Sequence, residues 1–144
     1  MTRDNLRARG MPKPLECEMC KEVDIVKHLT FDCIVARQMW EDVLEVFDIP
    51  VNNFESIASK WLCNKRFLYF NVVTSAVLWG LWINRNNLVF NKTTWINLNQ
   101  VWRLILSYLR TWKVSFQELG EGKTAQFAAL LLARLKSNLS LQPP

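Results

Sequence analysis

Three cysteines and the single histidine of the chain are the sequence feature that most constrains its fold. They follow the pattern Cys17-x2-Cys20-x7-His28-x4-Cys33. A Cys-x2-Cys pair forms a short hairpin whose thiolates converge on one ion, and a later His and Cys can complete a tetrahedron. Three thiolates and one imidazole suit Zn²⁺, and four protein ligands leave no position for a catalytic water. The pattern predicts a structural zinc site, with reduced thiols near a surface histidine as the alternative.

The rest of the chain is predicted to be mainly α-helical. Only four Gly and five Pro are available for turns, and half of the residues are apolar. Apolar residues recur at spacings of three and four, as one face of a helix requires. A helix from about Cys33 to Phe47 is expected to bury Val35, Met39 and Val43. Further helices are expected over residues 2–10, from Asn52 or Asn53 to about 62, and over 66–91, 94–119 and 124–136.

The two long predicted helices are rich in tryptophan. The first is expected to turn a stripe containing Trp79 and Trp82 inwards, and Thr93 or Thr94 is expected to cap the second. A short connection over residues 91–94 favours an antiparallel pair. The predicted fold class is therefore mainly α: a small Cys3His zinc knuckle followed by a helical bundle containing a long antiparallel helix hairpin. The expected divisions are a zinc-binding domain over 1–48, a Trp-rich helical region over 49–136 and a flexible tail over 137–144.

Charge is distributed unevenly along the chain. Residues 1–64 carry eight Lys/Arg and eleven Asp/Glu, whereas residues 65–144 carry ten Lys/Arg and two Asp/Glu. A basic half can contact phosphates, although solvated helix faces give the same composition. The candidate nucleic-acid contacts are Arg85, Lys92, Arg103, Arg110 and Lys113.

Enzymatic chemistry finds little support in the sequence. The one histidine is assigned to the metal, so no Ser-His or Cys-His pair remains. No group of acidic residues resembles a two-metal nuclease site. The expectation is a protein that is not an enzyme, and Cys63 is expected to be a thiol in the core.

The expected location is intracellular, in the cytoplasm or nucleus, because no secretory signal is visible. Mitochondrial import is a lesser alternative, given the four cations before residue 15. Residues 67–84 form an uncharged run of eighteen residues, so membrane association is a further alternative to a buried helix.

Three blocks of sequence resemble one known family. They match the zinc-binding domain that follows reverse transcriptase in plant LINE-type retrotransposons, and the helix between that domain and a ribonuclease H domain. The resemblance implies a truncated, free-standing fragment of a polyprotein, without the polymerase or ribonuclease H active sites. The matching residues are Thr2 to Leu6 with Arg9 and Gly10; the four ligands followed by Ala36 to Trp40; and Trp79, Trp82, Arg85, Asn86 and Phe90.

The favoured function is binding of another protein, or of a second copy of the chain, by a zinc-stabilised scaffold. In a plant, such a partner would be sought in defence or fertility control. The second long helix is expected to supply the interaction surface through Trp95, Trp102, Leu109 and Trp112. Binding of RNA or DNA by the basic half is the first alternative, and the membrane is the second. Zinc removal is expected to unfold residues 1–47 and to leave the Trp-rich helices largely helical.

Overall fold

The computed structural model describes residues 3–11, 16–47 and 68–115, together with Ala129 and Ala133. These residues are mainly helical and form four α-helices with the zinc-binding loop between the first and second. The predictions for Cys63, for residues 49–67 and for the tail lie outside the described residues, as does most of the last predicted helix. The helices are α1 (Arg3–Ala8), α2 (Ile34–Phe47), α3 (Leu68–Phe90) and α4 (Leu98–Ser115).

Helix α1 ends in a glycine-dependent turn. Gly10 has a φ of 77°, a left-handed conformation that costs little only without a Cβ atom. The Met11 N–H donates to the Leu6 carbonyl at 3.1 Å, and the Gly10 N–H donates to the Arg7 carbonyl at 2.9 Å. This bond pair is the Schellman motif, and it explains why the predicted stop at Gly10 is correct.

Helix α2 presents the predicted apolar face to the core. Val35, Met39 and Val43 are buried, together with Ala36 and Trp40. These positions are three or four apart, so one side of the helix carries all of them. Because α2 begins directly after Cys33, burial of this face fixes the last zinc ligand against the protein interior.

Helix α3 buries a different face from the predicted one. Trp79 is 46% exposed, whereas Val73, Val77 and Leu81 are fully buried. The helix is apolar on nearly all sides, so periodicity does not select one face. The predicted stripe, which contains Trp79 and Trp82, is therefore wrong. None of the helices in the described ranges, α3 included, combines the length and the apolar character that crossing a membrane requires.

Helix α4 starts later than predicted. Residues 92–97 are not helical, so the predicted cap at Thr93 or Thr94 is wrong. The helix begins at Leu98, where the Gln100 side-chain oxygen accepts a bond from the Ile96 N–H at 3.3 Å. This bond ties the connector before the helix to its first turn.

Helices α3 and α4 pack closely against each other. Gly80 faces Ile105 so tightly that a Cβ atom at Gly80 would collide with the isoleucine side chain. Trp79 meets Tyr108 edge-on, with ring centroids 6.5 Å apart. The detailed hairpin stays a prediction. Apolar residues of the zinc loop, α2, α3 and α4 form one continuous core cluster, and the expected division into domains stays a prediction.

Candidate metal centre

The first two cysteines lie on a tight hairpin. An isolated antiparallel bridge joins Glu16 to Val23. Within it, the Cys17 N–H donates to the Glu22 carbonyl at 2.6 Å, and the Lys21 N–H donates to the Cys17 carbonyl at 2.9 Å. Lys21 takes a φ of 69°, which reverses the chain at a position that glycine would occupy without strain. The hairpin brings both thiols to the same side.

The remaining two ligands lie at the two ends of a single helical turn. Residues His28–Asp32 form a π-helical turn, and the Cys33 N–H donates to the His28 carbonyl at 2.8 Å. Such single π-turns are rare and occur frequently at functional sites. The wider turn explains the four-residue spacing, because it returns the chain to the ligand cluster after five residues.

Aromatic packing holds this turn in place. The Trp40 Nε1–H donates to the Thr30 carbonyl at 2.7 Å. The Phe31 ring stacks on Trp40 with centroids 5.6 Å apart. Trp40, on α2, therefore fixes the turn that carries His28, which gives a physical reason for a tryptophan at this point of the motif.

The four ligand atoms fit one tetrahedral metal ion. They all lie within 4.8 Å of one another. The Sγ atoms of Cys20 and Cys33 are 3.6 Å apart, and the Cys20 Sγ lies 3.1 Å from the His28 Nε2. A tetrahedron with Zn–S bonds of about 2.3 Å has S–S edges of roughly 3.8 Å, so the thiol pair already has the required spacing. His28 offers its Nε2 atom, which leaves Nδ1 to carry the proton.

The pKa of one ligand thiol, Cys17, is lowered, which favours the thiolate form that binds a cation. A hydrogen bond with Cys33 lowers the pKa of Cys17 to about 5, and the backbone N–H groups of Met19 and Cys20 act in the same direction. The same thiol pairing, together with burial, raises the pKa of Cys33 above its usual range. Metal binding requires thiolates, so Zn²⁺ uptake releases protons from the cysteines.

A buried ion pair connects the zinc loop to α3. Arg85 donates to the Asp24 Oδ2 from Nη2 at 2.6 Å and from Nε at 3.0 Å. The side chains are only 2% and 1% exposed. The Arg85 guanidinium also lies about 6 Å from the ring centroids of Trp82 and Phe90. A second contact runs from the Asn84 amide to the Met19 sulfur at 3.7 Å.

This ion pair has no direct signature in the sequence, because its members are 61 residues apart. The available signal was the Trp-x2-Trp-x2-Arg-Asn-x3-Phe block of the resemblance, in which Arg85 is the one charged residue. In the structure, two aromatic members of this block, Trp82 and Phe90, surround the arginine that holds Asp24.

The candidate nucleic-acid residues do not form one group. The prediction that Arg85 contacts phosphate is wrong, because its guanidinium is buried on Asp24. Lys92, Arg103 and Arg110 are exposed. The side chain of Lys113 lies outside the described part of the chain.

The predicted interaction surface on α4 is largely interior. Trp102 and Leu109 are buried in the core, so they cannot present an exposed surface in this fold. Trp95 and Trp112 are half-buried and pack against the same core. These residues lie on the apolar side of α4 that packs into the core.

The geometry defines a closed Cys3His zinc knuckle, in which four protein ligands hold a structural Zn²⁺ and leave no open coordination position. Residues 1–40 match the model of the zf-RVT family, described as zinc-binding in reverse transcriptase. The match and the Cys3His group of Cys17, Cys20, His28 and Cys33 together fit a zinc-binding domain of the reverse-transcriptase type. The family is a zinc-binding region and not the catalytic part of reverse transcriptase.

The match ends within α2, so the Trp79 to Phe90 block lies beyond it and remains a resemblance. No curated protein and no solved structure matches the chain.

Proposed function

We propose that the chain is a non-catalytic interaction module in which zinc organises a loop that binds another protein. The outer surface of that loop carries the proposal. Val23, Val26 and Ile34, which follow or flank the ligands, are 54%, 58% and 70% exposed. Neighbouring exposed apolar side chains on a rigid loop are typical of interaction sites. Zinc fixes the backbone beneath them, so little ordering entropy is lost when a partner binds.

Charge beside this surface indicates the chemistry of the partner. Glu22 and Asp32, together with one cation, Arg37, line a depression of about 500 Å³ that also contains Ile34 and the edges of Cys20 and His28. The Asp32 carboxylate lies 3.6 Å from the exposed Lys27 ammonium group, and such exposed pairs are weak. A protein segment that offers a Lys or Arg next to an apolar side chain complements this surface.

We also propose descent from a plant retrotransposon polyprotein. The family match over residues 1–40 supports the zinc-binding part of this origin, and the Trp79 to Phe90 block supports the adjoining helix. Catalytic activity does not transfer with a zinc-binding region. Plant defence or fertility control is the setting in which a partner would first be sought.

The test uses the full zinc-loaded chain as bait in plant extract, with cross-linking and mass spectrometry. Val26→Asp is the disrupting variant. Ile96→Asp is the matched control, because Ile96 is 71% exposed and lies in the connector before α4. The proposal expects a partner cross-linked to residues 21–34 through a basic segment, retained by Ile96→Asp and lost with Val26→Asp. A partner set identical for both variants would contradict it.

Light scattering of the purified chain separates the homo-oligomer alternative. A monomer agrees with a different protein as the partner. A dimer that Val26→Asp dissociates would mean that a second copy covers the loop, and would replace the proposal.

A further inference from the structure

A groove rich in side-chain amides lies between α3 and the start of α4. It measures about 500 Å³, and five amides line it: Asn84, Asn87, Asn97, Asn99 and Gln100. Each amide supplies both hydrogen-bond donors and acceptors. Such groups pair with the edges of nucleobases, which present the same mixture.

The groove continues into a cluster of aromatic rings along the same helix face. Leu104 lines the groove, and Tyr108 lies one turn further on, on the same side of α4. Tyr108 contacts Trp79 and Trp112 at centroid distances of 6.5 and 6.1 Å. Trp79 is nearly half exposed, so it offers a ring face to solvent. From Asn97 to Trp112 the strip is about 22 Å long at the helical rise per residue.

The charge of this region has one sign. Residues 68–115 contain no Asp or Glu. Arg85 is occupied by Asp24, and among the described side chains of this range Lys92, Arg103 and Arg110 are exposed cations. Arg103 also lines the amide groove. A ligand with repeated negative charge is attracted here and meets no carboxylate on either helix.

We infer that this strip, formed by the amide groove and the Trp79–Tyr108–Trp112 cluster, binds single-stranded nucleic acid. Aromatic platforms beside a basic groove are the means by which proteins hold unpaired bases and their phosphates. Asn84, Asn87 and Gln100 each already make one side-chain hydrogen bond, to Met19, Asn91 and the Ile96 N–H respectively. Asn97 and Asn99, with the remaining donors and acceptors of Asn87 and Gln100, would contact base edges, which a duplex conceals. An acidic or neutral peptide would use the amides but not the stacking surface, so nucleic acid fits more of the strip. The strip is separate from the acidic zinc loop and adds a second ligand to the proposed protein-binding role.

The test measures fluorescence anisotropy of fluorescein-labelled 12-nucleotide RNA and DNA single strands, and of the matching RNA duplex, with the full zinc-loaded chain. The phosphate contact at Arg103, which lines the groove, predicts a slope of log K against log salt of about −0.7 or steeper for a single strand. Binding of either single strand in preference to the duplex supports the inference. Absence of binding at 25 mM KCl, or equal binding of the duplex, overturns it and leaves the strip to a protein ligand.

Variants separate stacking from general charge attraction. Trp79→Ala is expected to weaken binding roughly 5- to 150-fold, the range measured for one stacked base, and Trp79→Phe is expected to restore most of it. Arg103→Gln is expected to reduce the salt slope by about 0.7. The control is Arg9→Gln, at an exposed site after α1, which removes the same charge. If Arg9→Gln matches Arg103→Gln, or if Trp79→Ala binds as the wild type does, the inference is wrong. Circular dichroism and zinc content confirm that each variant is folded.

Discussion

The buried ion pair between the zinc loop and α3 leads to a strong prediction about stability. Arg85→Met keeps most of the side-chain volume but removes the guanidinium from the Asp24 carboxylate. Both N–H bonds, at 2.6 and 3.0 Å, are lost. The carboxylate, only 1% exposed, then stays in the interior without them. Removing one partner of a buried pair costs about 3–5 kcal/mol, far more than the same change at the surface.

That loss is a large fraction of the folding free energy. Domains are stable by about 5–15 kcal/mol, so the variant would retain a small margin. At roughly 2–4 °C per kcal/mol for a chain of this size, the unfolding midpoint is expected to fall by about 6–20 °C. Removal of the cationic contact with the Trp82 and Phe90 rings acts in the same direction.

The assay is urea denaturation of the zinc-loaded chain, followed by circular dichroism and extrapolated to water. Arg103→Met is the matched control, because Arg103 is exposed on α4 and should change stability by less than about 0.5 kcal/mol. The double variant Asp24→Asn with Arg85→Met should cost less than the sum of the single changes. Each single change leaves one buried charge without its partner, whereas the double variant leaves neither charge. If Arg85→Met costs no more than Arg103→Met, or the two changes simply add, the ion pair does not join the loop to α3.

Three further predictions concern the metal and the backbone. Cys17→Ser should reduce bound zinc from about one ion per chain, measured by atomic emission. Because Cys17 lies in the common core, helical ellipticity should fall by more than residues 1–47 can supply, contrary to the expectation from sequence. Gly80→Ala should lower the free energy of unfolding by about 1–3 kcal/mol through collision with Ile105. When Ile105→Ala is added, the double variant should cost less than the sum of the two single changes in a thermal double-mutant cycle. Lys21→Gly should raise the melting temperature slightly, since a non-glycine residue in the left-handed region costs roughly 1 kcal/mol; an unchanged or lower value would contradict that account.

The zinc site could be read from the sequence because its information is local. Cys17, Cys20, His28 and Cys33 lie close together in the chain, and their spacing alone requires a hairpin followed by a turn. The buried face of α2 could be predicted equally well, since Val35, Met39 and Val43 alternate with charged residues. In both cases one pattern had one structural solution.

Other features depend on which surfaces meet, and sequence periodicity does not decide that. Helix α3 is apolar around most of its circumference, so its sequence does not show which face is buried. In the structure, the face that contains Gly80 packs against α4. Arg85 looked like a surface cation because nothing near it in sequence carries a negative charge. Its partner, Asp24, lies in the zinc loop, 61 residues earlier in the chain. The assignment of Arg85 failed because the neutralising residue comes from a different element.

The same ion pair relates the two proposed binding surfaces to the metal. Asp24 lies between the ligands Cys20 and His28, and Arg85 lies on the helix that lines the amide groove through Asn84. Zinc therefore orders the loop, and the loop in turn holds the C-terminal part of α3. On this reasoning, Arg85→Met should weaken both protein binding at the loop and nucleic-acid binding at the strip. Val26→Asp should weaken only the first, and Trp79→Ala only the second. If Arg85→Met leaves both protein binding and nucleic-acid binding intact, the two surfaces are independent of the metal.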